Sequence, residues 1–348
     1  MARLRRVDCS GPGIVRRRRG RGFEFLDPDG NRVTDPEDIE RIAELAIPPA
    51  WRDVWICPAP NGHLQATGVD ARGRKQYLYH RQWRERRDQE KFDEMCAFAR
   101  ALPSMRRRVK KHLADPGLTK RRVLACSVRM LDRGFFRVGG EDYAVENETY
   151  GLATMLKSHV TLGESSLTFD YPAKSGQRRV QSIVDPYVYE IVGQLKRRRG
   201  GSEELLAYKE GRRWRDVKSA DINAYVKEVT GGDYSAKDFR TWNATVLAAV
   251  ALAVSGPAAT GSQTARKRAK TRAVKEVSRY LGNTPAVCRA SYIDPRVFDR
   301  FDSGLTIGGA LPVVAETSDM DSLHGPIEEA VLELIAADED SPAIERVA

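Results

Sequence analysis

The hydrophobic period of this chain changes once, near residues 81–92, and that change most limits what it can fold into. Before it, over residues 23–80, short runs alternate between turn residues. "FEFLDPDGNRV" predicts two strands around an Asp-Gly turn. "DPEDIERIAELA" predicts a short helix capped by Asp35, with Pro36 in its first position and Ile39, Ile42 and Leu45 as its apolar stripe. "VWIC", "HLQATGV" and "RKQYLYH" follow as a meander. In its last strand Lys75, Tyr77 and Tyr79 share one face, with Arg74, Gln76 and His80 on the other. From "RQWRERRDQEKFDEM" onward, apolar residues recur three and four apart in 92–134, 186–197, 219–229, 235–254 and 263–281. One hairpin, "VTLGESSLTFDYPAKSGQRRVQSI", interrupts them, with "AKSG" at its tip. The fold class expected is α+β. A small β-rich domain (23–88) precedes a larger, mostly helical one (89–310), with a flexible basic arm (1–22) in front and a peripheral acidic tail (311–348), ending in a short helix, behind.

Charge points to the partner. The formal net charge is +10, but residues 311–348 hold ten acidic residues against Arg346 alone, a net of −9 that leaves +19 on residues 1–310. A basic body of this size suits a polyanion, and nucleic acid is the default. The arm carries eight arginines, four of them consecutive from Arg16 to Arg19. Five scattered cysteines with no Cys-x-x-Cys pair, and only five histidines, argue against a zinc site or a disulfide framework and fit a reducing cytoplasm. The longest apolar run, Val246 to Val254, is too short to span a bilayer and predicts a buried helix.

No Gly-x-x-x-x-Gly-Lys-Ser/Thr loop, no Asp-x-Asp cluster in the strand-loop context of a two-metal site, no His-Glu-x-x-His and no Gly-x-Ser-x-Gly is evident. An enzyme acting on nucleic acid without metal or nucleotide must neutralise phosphate with Arg and Lys and attack with a side chain. The positions open to such a role are few. Arg137 enters a Gly-Gly turn in "GFFRVGG", and Lys174 sits at the hairpin tip. In "SAKDFRTWNAT", Ser235 and Asp238 form a capping box, Phe239, Trp242 and Val246 face the core, and Lys237 and Arg240 share a face of the first turn. Two cations there oppose the helix dipole unless an anion is present, although a solvated basic turn would have the same pattern. In "LGNTPAVCRASYIDP", Gly282 stops one helix, Thr284 and Pro285 start the next, and Asn283 lies at that start. Tyr292 falls on its last turn, before the break at Asp294-Pro295.

Taken in order, Arg137, Lys174, Lys237-x-x-Arg240, and Asn283 with Tyr292 nine residues on resemble the type IB DNA topoisomerases, in their compact viral and bacterial branch. "GRKQYLYHRQW" is similar to the signature of that family's N-terminal clamp domain, and "FFRVGGEDYAVENETYGLATMLKSHV" to the segment around its first catalytic arginine. The resemblance spans roughly residues 10–310. It implies a catalytic domain of the kind shared with tyrosine recombinases, completing a C-shaped clamp on duplex DNA. It also implies a monomer that works in the cytoplasm on the nucleoid, without metal, nucleotide, cofactor or membrane. It assigns Tyr292 as nucleophile, Arg137 and Arg240 to the scissile phosphate, and Lys174 as general acid, its pKa lowered by neighbouring arginines. Asn283 stands where many members have histidine and can still donate an amide hydrogen bond. Lys237 and Tyr143 match phosphate-contacting positions, and Arg74, Lys75, Gln76, Tyr77 and Tyr79 fall among the clamp's DNA contacts. A tyrosine recombinase would share the chemistry but usually has His-x-x before the second arginine and a helical N-terminal domain. A DNA-binding protein of the same fold would have lost catalytic residues. With about 6–10 phosphate contacts, DNA affinity should fall on the order of 10³-fold or more between 50 and 200 mM salt. Fluorescence anisotropy on a short duplex measures this, and a flat salt response would remove phosphate contacts as the main source of affinity.

Overall fold

The computed structural model describes residues 3–141, 144, 148–259, 262–312 and 320–347. The chain forms two compact units, residues 1–93 and 94–348, so the division falls a few residues beyond the expected boundary, inside a helix. Among the described residues, no helix is long and apolar enough to cross a membrane.

The first unit is an antiparallel five-stranded sheet with one helix. Its elements are β1 (Ile14–Arg19), β2 (Gly22–Leu26), α1 (Pro36–Glu44), β3 (Arg52–Ile56), β4 (Leu64–Val69) and β5 (Lys75–Tyr79), in sheet order β2-β1-β3-β4-β5. Ile14, Ile42, Val54, Ile56 and Ala66 form its core. Asp35 caps α1 through the Glu37 amide with Pro36 inside, as expected, but Ile39 points to solvent and only Ile42 of the stripe is fully buried. The basic arm is the first correction. From Ile14 onward it is strand β1, paired with both β2 and β3. A strand needs only alternate side chains inside. Ile14 fills that role, while Arg17 and Arg19 pair with Glu24 on β2. Arg16 donates to the carbonyls of Ile47, Pro48 and Trp51 and lies over the Phe23 ring.

The second unit is mostly helical. Helix α2 (Arg81–Leu113) runs into it from the first unit, and α3 (Lys120–Gly134) follows. A three-stranded sheet, β6 (Val160–Leu162), β7 (Leu167–Ala173) and β8 (Gln177–Ile183), carries the expected hairpin. Next come α4 (Pro186–Arg197), the hairpin β9 (Ala207–Glu210) and β10 (Arg213–Asp216), and α5 (Ser219–Thr230). That hairpin escapes sequence patterning because "KEGRRWRD" has almost no apolar alternation. Helix α6 (Ala236–Ser255) is the centre of the unit. Phe239, Trp242, Ala248 and Leu252 are buried there, while Val246 is only half-buried and Val254 is exposed. Helices α7 (Gln263–Leu281), α8 (Pro285–Ser291) and α9 (Pro295–Asp302) lead to the short strand β11 (Leu305–Thr306).

The acidic tail contains a helix, as expected, but that helix is packed against the unit rather than peripheral, which is the second correction. Residues 320–336 form α10 and Glu345–Arg346 form β12, which pairs with β11. Ile327, Ala330, Val331, Leu334 and Ile335 are all buried, at the helical spacing that buries one stripe. The charge count concealed that stripe, because acidic residues such as Glu329 and Glu333 stand between its buried positions. Glu328 is drawn inside, where it accepts from Arg106 and from the Trp242 indole N–H at 2.9 Å. A chain ending at Pro312 would expose this stripe and leave Arg106 and Asp132 with a broken buried network, a loss of about 3–5 kcal/mol. The expected outcome is a Tm lower by roughly 10 °C, measured by thermal unfolding. A Tm unchanged by the truncation would return residues 320–347 to the periphery.

Candidate active site

The candidate residues gather at the C-terminal end of α7, and each is placed by a local feature of the sequence. Helix α3 ends at Phe135 in the left-handed region (φ 54°), which turns the chain into Arg137. The following turn passes over a second glycine: the Leu152 and Ala153 amides donate to the carbonyls of Arg137 and Val138, at 2.8 and 2.7 Å. A Cβ on Gly151 would lie 2.4 Å from Gly139 Cα, so these two backbones meet only because both residues are glycine. Lys174 opens the single turn of 3₁₀ helix at the β7–β8 tip, exposed as expected. At α6 the capping box forms, with Asp238 accepting from the Ser235 amide at 2.7 Å. This aims Arg240 inward, 4% exposed, and Lys237 outward.

The α7 terminus is where the cations meet. Gly282 adopts φ 61° and stops the helix. Three arginines then take its last carbonyls: Arg179 donates to Arg279 O and Tyr280 O, Arg240 to Leu281 O at 2.8 Å, and Arg137 to Gly282 O at 2.9 Å. Arg240 also donates to Phe135 O at 2.6 Å. Burial, then the Arg137 charge, pull the Arg240 pKa down to about 10, which leaves it a cation at neutral pH. Arg137 also donates to Asn283 Oδ1. That contact assigns the amide, since a guanidinium offers only donors, and makes Asn283 Nδ2 the free-facing donor.

Thr284 caps α8 through the Val287 amide, with Pro285 in the first position. Tyr292 is the residue that ends this helix. Its amide donates to Cys288 O, and its carbonyl accepts from Thr245 of α6 at 3.3 Å. Its half-buried ring lies with the Arg240 guanidinium carbon 5.4 Å from its centre. Cys288, one turn earlier, is a poor alternative nucleophile, since burial pushes its thiol up to about 11.

Arg137, Lys174 and Tyr292 line two cavities at once, of about 330 and 290 Å³. Lys237, Arg240, Thr149 and Tyr150 complete the walls of the first, and Gln177 and Asn283 those of the second. Among the described residues, no carboxylate lines either. Three buried polar atoms at these walls, Arg240 Nε, Asn283 Nδ2 and Thr149 Oγ1, have no hydrogen-bond partner among the described residues. Buried donors of this kind cost about 1–3 kcal/mol each unless an acceptor such as a phosphoryl oxygen meets them. Sequence reasoning missed Thr149, Tyr150 and Arg179. The signal was a second glycine, Gly151, directly after "ETY", and a basic residue two positions inside β8.

The remaining expected contacts are spread more widely. Tyr143 lies outside the described residues. On β5, Lys75, Tyr77 and Tyr79 are exposed, and the two tyrosine rings are stacked with centres 6.2 Å apart. Arg74 and Gln76 both bind Asp70, whose carboxyl is driven down to about 2 by the Arg74 amide and then its side chain, so these two build the turn before β5.

Comparison with known proteins gives a consistent result. The family described as eukaryotic DNA topoisomerase I, catalytic core, matches residues 80–303, and that described as bacterial DNA topoisomerase IB, N-terminal domain, matches residues 22–70. DNA topoisomerase 1B of Acanthamoeba polyphaga mimivirus is 32% identical over 302 residues, covering 81% of this chain and 85% of its own. DNA topoisomerase 1 of Daucus carota is 28% identical over 130 residues, 37% of this chain and 15% of its own. The glycine crossing offers a test that leaves every candidate side chain in place. Gly151→Ala must push the Arg137 turn away, at a cost of about 1–3 kcal/mol in stability. We expect phosphodiester cleavage by the folded variant to slow about 10-fold or more. An unchanged cleavage rate would show that the turn does not set Arg137.

Proposed function

We propose how this chain, which belongs to the type IB DNA topoisomerases, cuts and reseals duplex DNA: Tyr292 is the nucleophile, and Arg137, Arg240, Asn283 and Lys174 serve the phosphate. The observation that carries this is the sharing of two cavities by Tyr292, Lys174 and Arg137, with Arg240 against the Tyr292 ring. Tyr292 Oη attacks the phosphorus, the P–O5′ bond breaks, and a 3′-phosphotyrosyl bond forms. No residue is assigned as the base, and in this reading the phenol proton leaves to water. Arg137 and Arg240 are fixed cations beside the oxygens that gain charge, and Asn283 Nδ2 adds a neutral donor. Donors preorganised in this way are each worth about 10²–10³ in rate. An alkoxide is a poor leaving group, so the 5′-oxygen needs a proton, and Lys174 at the tip of a hairpin is the donor within the same walls.

The covalent bond keeps the energy of the phosphodiester. Religation is therefore the same step reversed, with the 5′-hydroxyl attacking and Tyr292 leaving, and it draws on neither ATP nor metal. Between the two steps the free end swivels and supercoils of either sign relax. Lys75, Tyr77 and Tyr79 on β5 would contact the duplex from the first unit, where exposed cation and aromatic faces suit backbone and sugar. A C-shaped clamp on the duplex belongs to the same reading and rests on the family alone. Plasmid relaxation in EDTA without ATP is the direct test. Wild type should relax both positive and negative supercoils, and Tyr292→Phe should not, while its DNA affinity stays within about threefold of wild type, since phosphate contacts supply most of the binding. Relaxation by Tyr292→Phe would overturn the assignment.

A further inference from the structure

The helix that carries Arg240 is tied to the end of α3 in three places. One tie is at the site itself, where Arg240 donates to Phe135 O. A second is also direct, from Asn243 to Asp132 O. The third is indirect and is closed by a residue from the C-terminal segment. Trp242, two positions after Arg240, is fully buried, and its indole N–H donates to Glu328 Oε1 at 2.9 Å. Glu328 also accepts two hydrogen bonds from Arg106. Arg106 donates in turn to both oxygens of Asp132, at 2.8 and 2.9 Å. Asp132 lies three residues before Phe135, and its own carbonyl accepts from Asn243 of α6 at 3.1 Å. Asp132 is 2% exposed and Glu328 8%. His324, one helical turn before Glu328, has Nδ1 3.3 Å from Arg106 Nη2 and completes the cluster.

We propose that Glu328 is a positioning residue for Arg240, so that the segment beyond the matched catalytic core, which ends at residue 303, is part of the DNA-cleaving machinery. The proposal rests on the assignment of Arg240 to the scissile phosphate. The physical reason is that two point contacts, Arg240–Phe135 and Asn243–Asp132, define an axis, and α6 can still rock about the line that joins them, which moves the guanidinium. The Trp242–Glu328–Arg106–Asp132 chain is a third tie, made through α10 and α2, and it limits that rotation. A buried indole N–H has few alternatives, since losing its acceptor leaves a desolvated donor. Removing Glu328 also leaves Arg106 shared with Asp132 alone. Glu328 touches neither cavity wall, so its effect must pass through α6.

The experiment measures how fast the covalent adduct with supercoiled plasmid accumulates, with enzyme in saturating excess and well below each variant's Tm, alongside plasmid affinity and Tm. Glu328→Ala should slow adduct formation about 10-fold, a loss of about 1.4 kcal/mol in transition-state stabilisation, with affinity within about twofold. Trp242→Phe removes only the N–H end of the tie. It should slow the reaction about threefold or more, and the double variant should be no slower than Glu328→Ala, as expected for two ends of one contact. On an Arg240→Lys background, Glu328→Ala should cost less than about twofold, since the residue it positions is gone. A lower Tm with an unchanged adduct rate would make Glu328 a folding residue only and overturn the proposal, as would full additivity with Arg240→Lys. If Glu328→Ala does not fold, Trp242→Phe decides, and a wild-type rate in that variant overturns the proposal. An Arg240→Lys enzyme with the wild-type rate would instead sink the assignment of Arg240.

Discussion

The end of helix α7 is the contact on which the site depends. A helix leaves its last carbonyls without amide partners and gathers negative potential there. In this chain Arg179 from β8, Arg240 from α6 and Arg137 from the turn after α3 supply the missing donors. The arrangement works in both directions. The carbonyls offset the mutual repulsion of guanidinium groups packed close enough for Arg137 to depress the Arg240 pKa. The guanidiniums in turn fix where α7 stops. Asn283 and the helix that ends at Tyr292 follow directly from that point, so nucleophile and phosphate-binding cations share one origin.

Behind the site, several buried charges are paired. Asp185 caps α4 and accepts from both Arg129 and Arg133, and Asp132 and Glu328 divide Arg106. Burial would raise these carboxylates, yet the cations beside Asp132 and Glu328 hold both below their ordinary values. Such pairs add little to net stability compared with apolar packing but are costly to break. That cost makes them suitable for fixing one arrangement of α3, α6 and α10, where a purely apolar interface of small residues could slide.

Much of the site was legible because it is built from helix ends. Gly282, Thr284-Pro285 and Ser235 with Asp238 are local signals, each acting within four residues, and all of them form as the spacing predicts. The two misreadings share a cause. The arm at residues 14–19 and the segment at 320–347 were judged by net charge, but burial is decided by which side chains face inward. Ile14 suffices for the strand, and the stripe from Ile327 to Ile335 suffices for the helix. Among the β5 residues, alternation separated the exposed Lys75, Tyr77 and Tyr79 from the rest correctly. Only the folded turn showed that Arg74 and Gln76 serve Asp70.

By itself, the sequence determined the change of period that divides sheet from helix, the caps that start and stop each helix near the site, and the order of Arg137, Lys174, Arg240, Asn283 and Tyr292. These are matters of short range, where propensity and hydrogen bonding act between neighbours. Tertiary structure alone decided that Arg240 would be buried against the Tyr292 ring, that Arg179 would join the same carbonyl cluster, that Gly151 would cross Gly139, and that Glu328 would close the network behind α6. These contacts join residues from 12 to 222 positions apart. Which distant donor reaches which carbonyl depends on the packing of whole elements, and that packing is settled by the apolar area they bury together rather than by any local pattern.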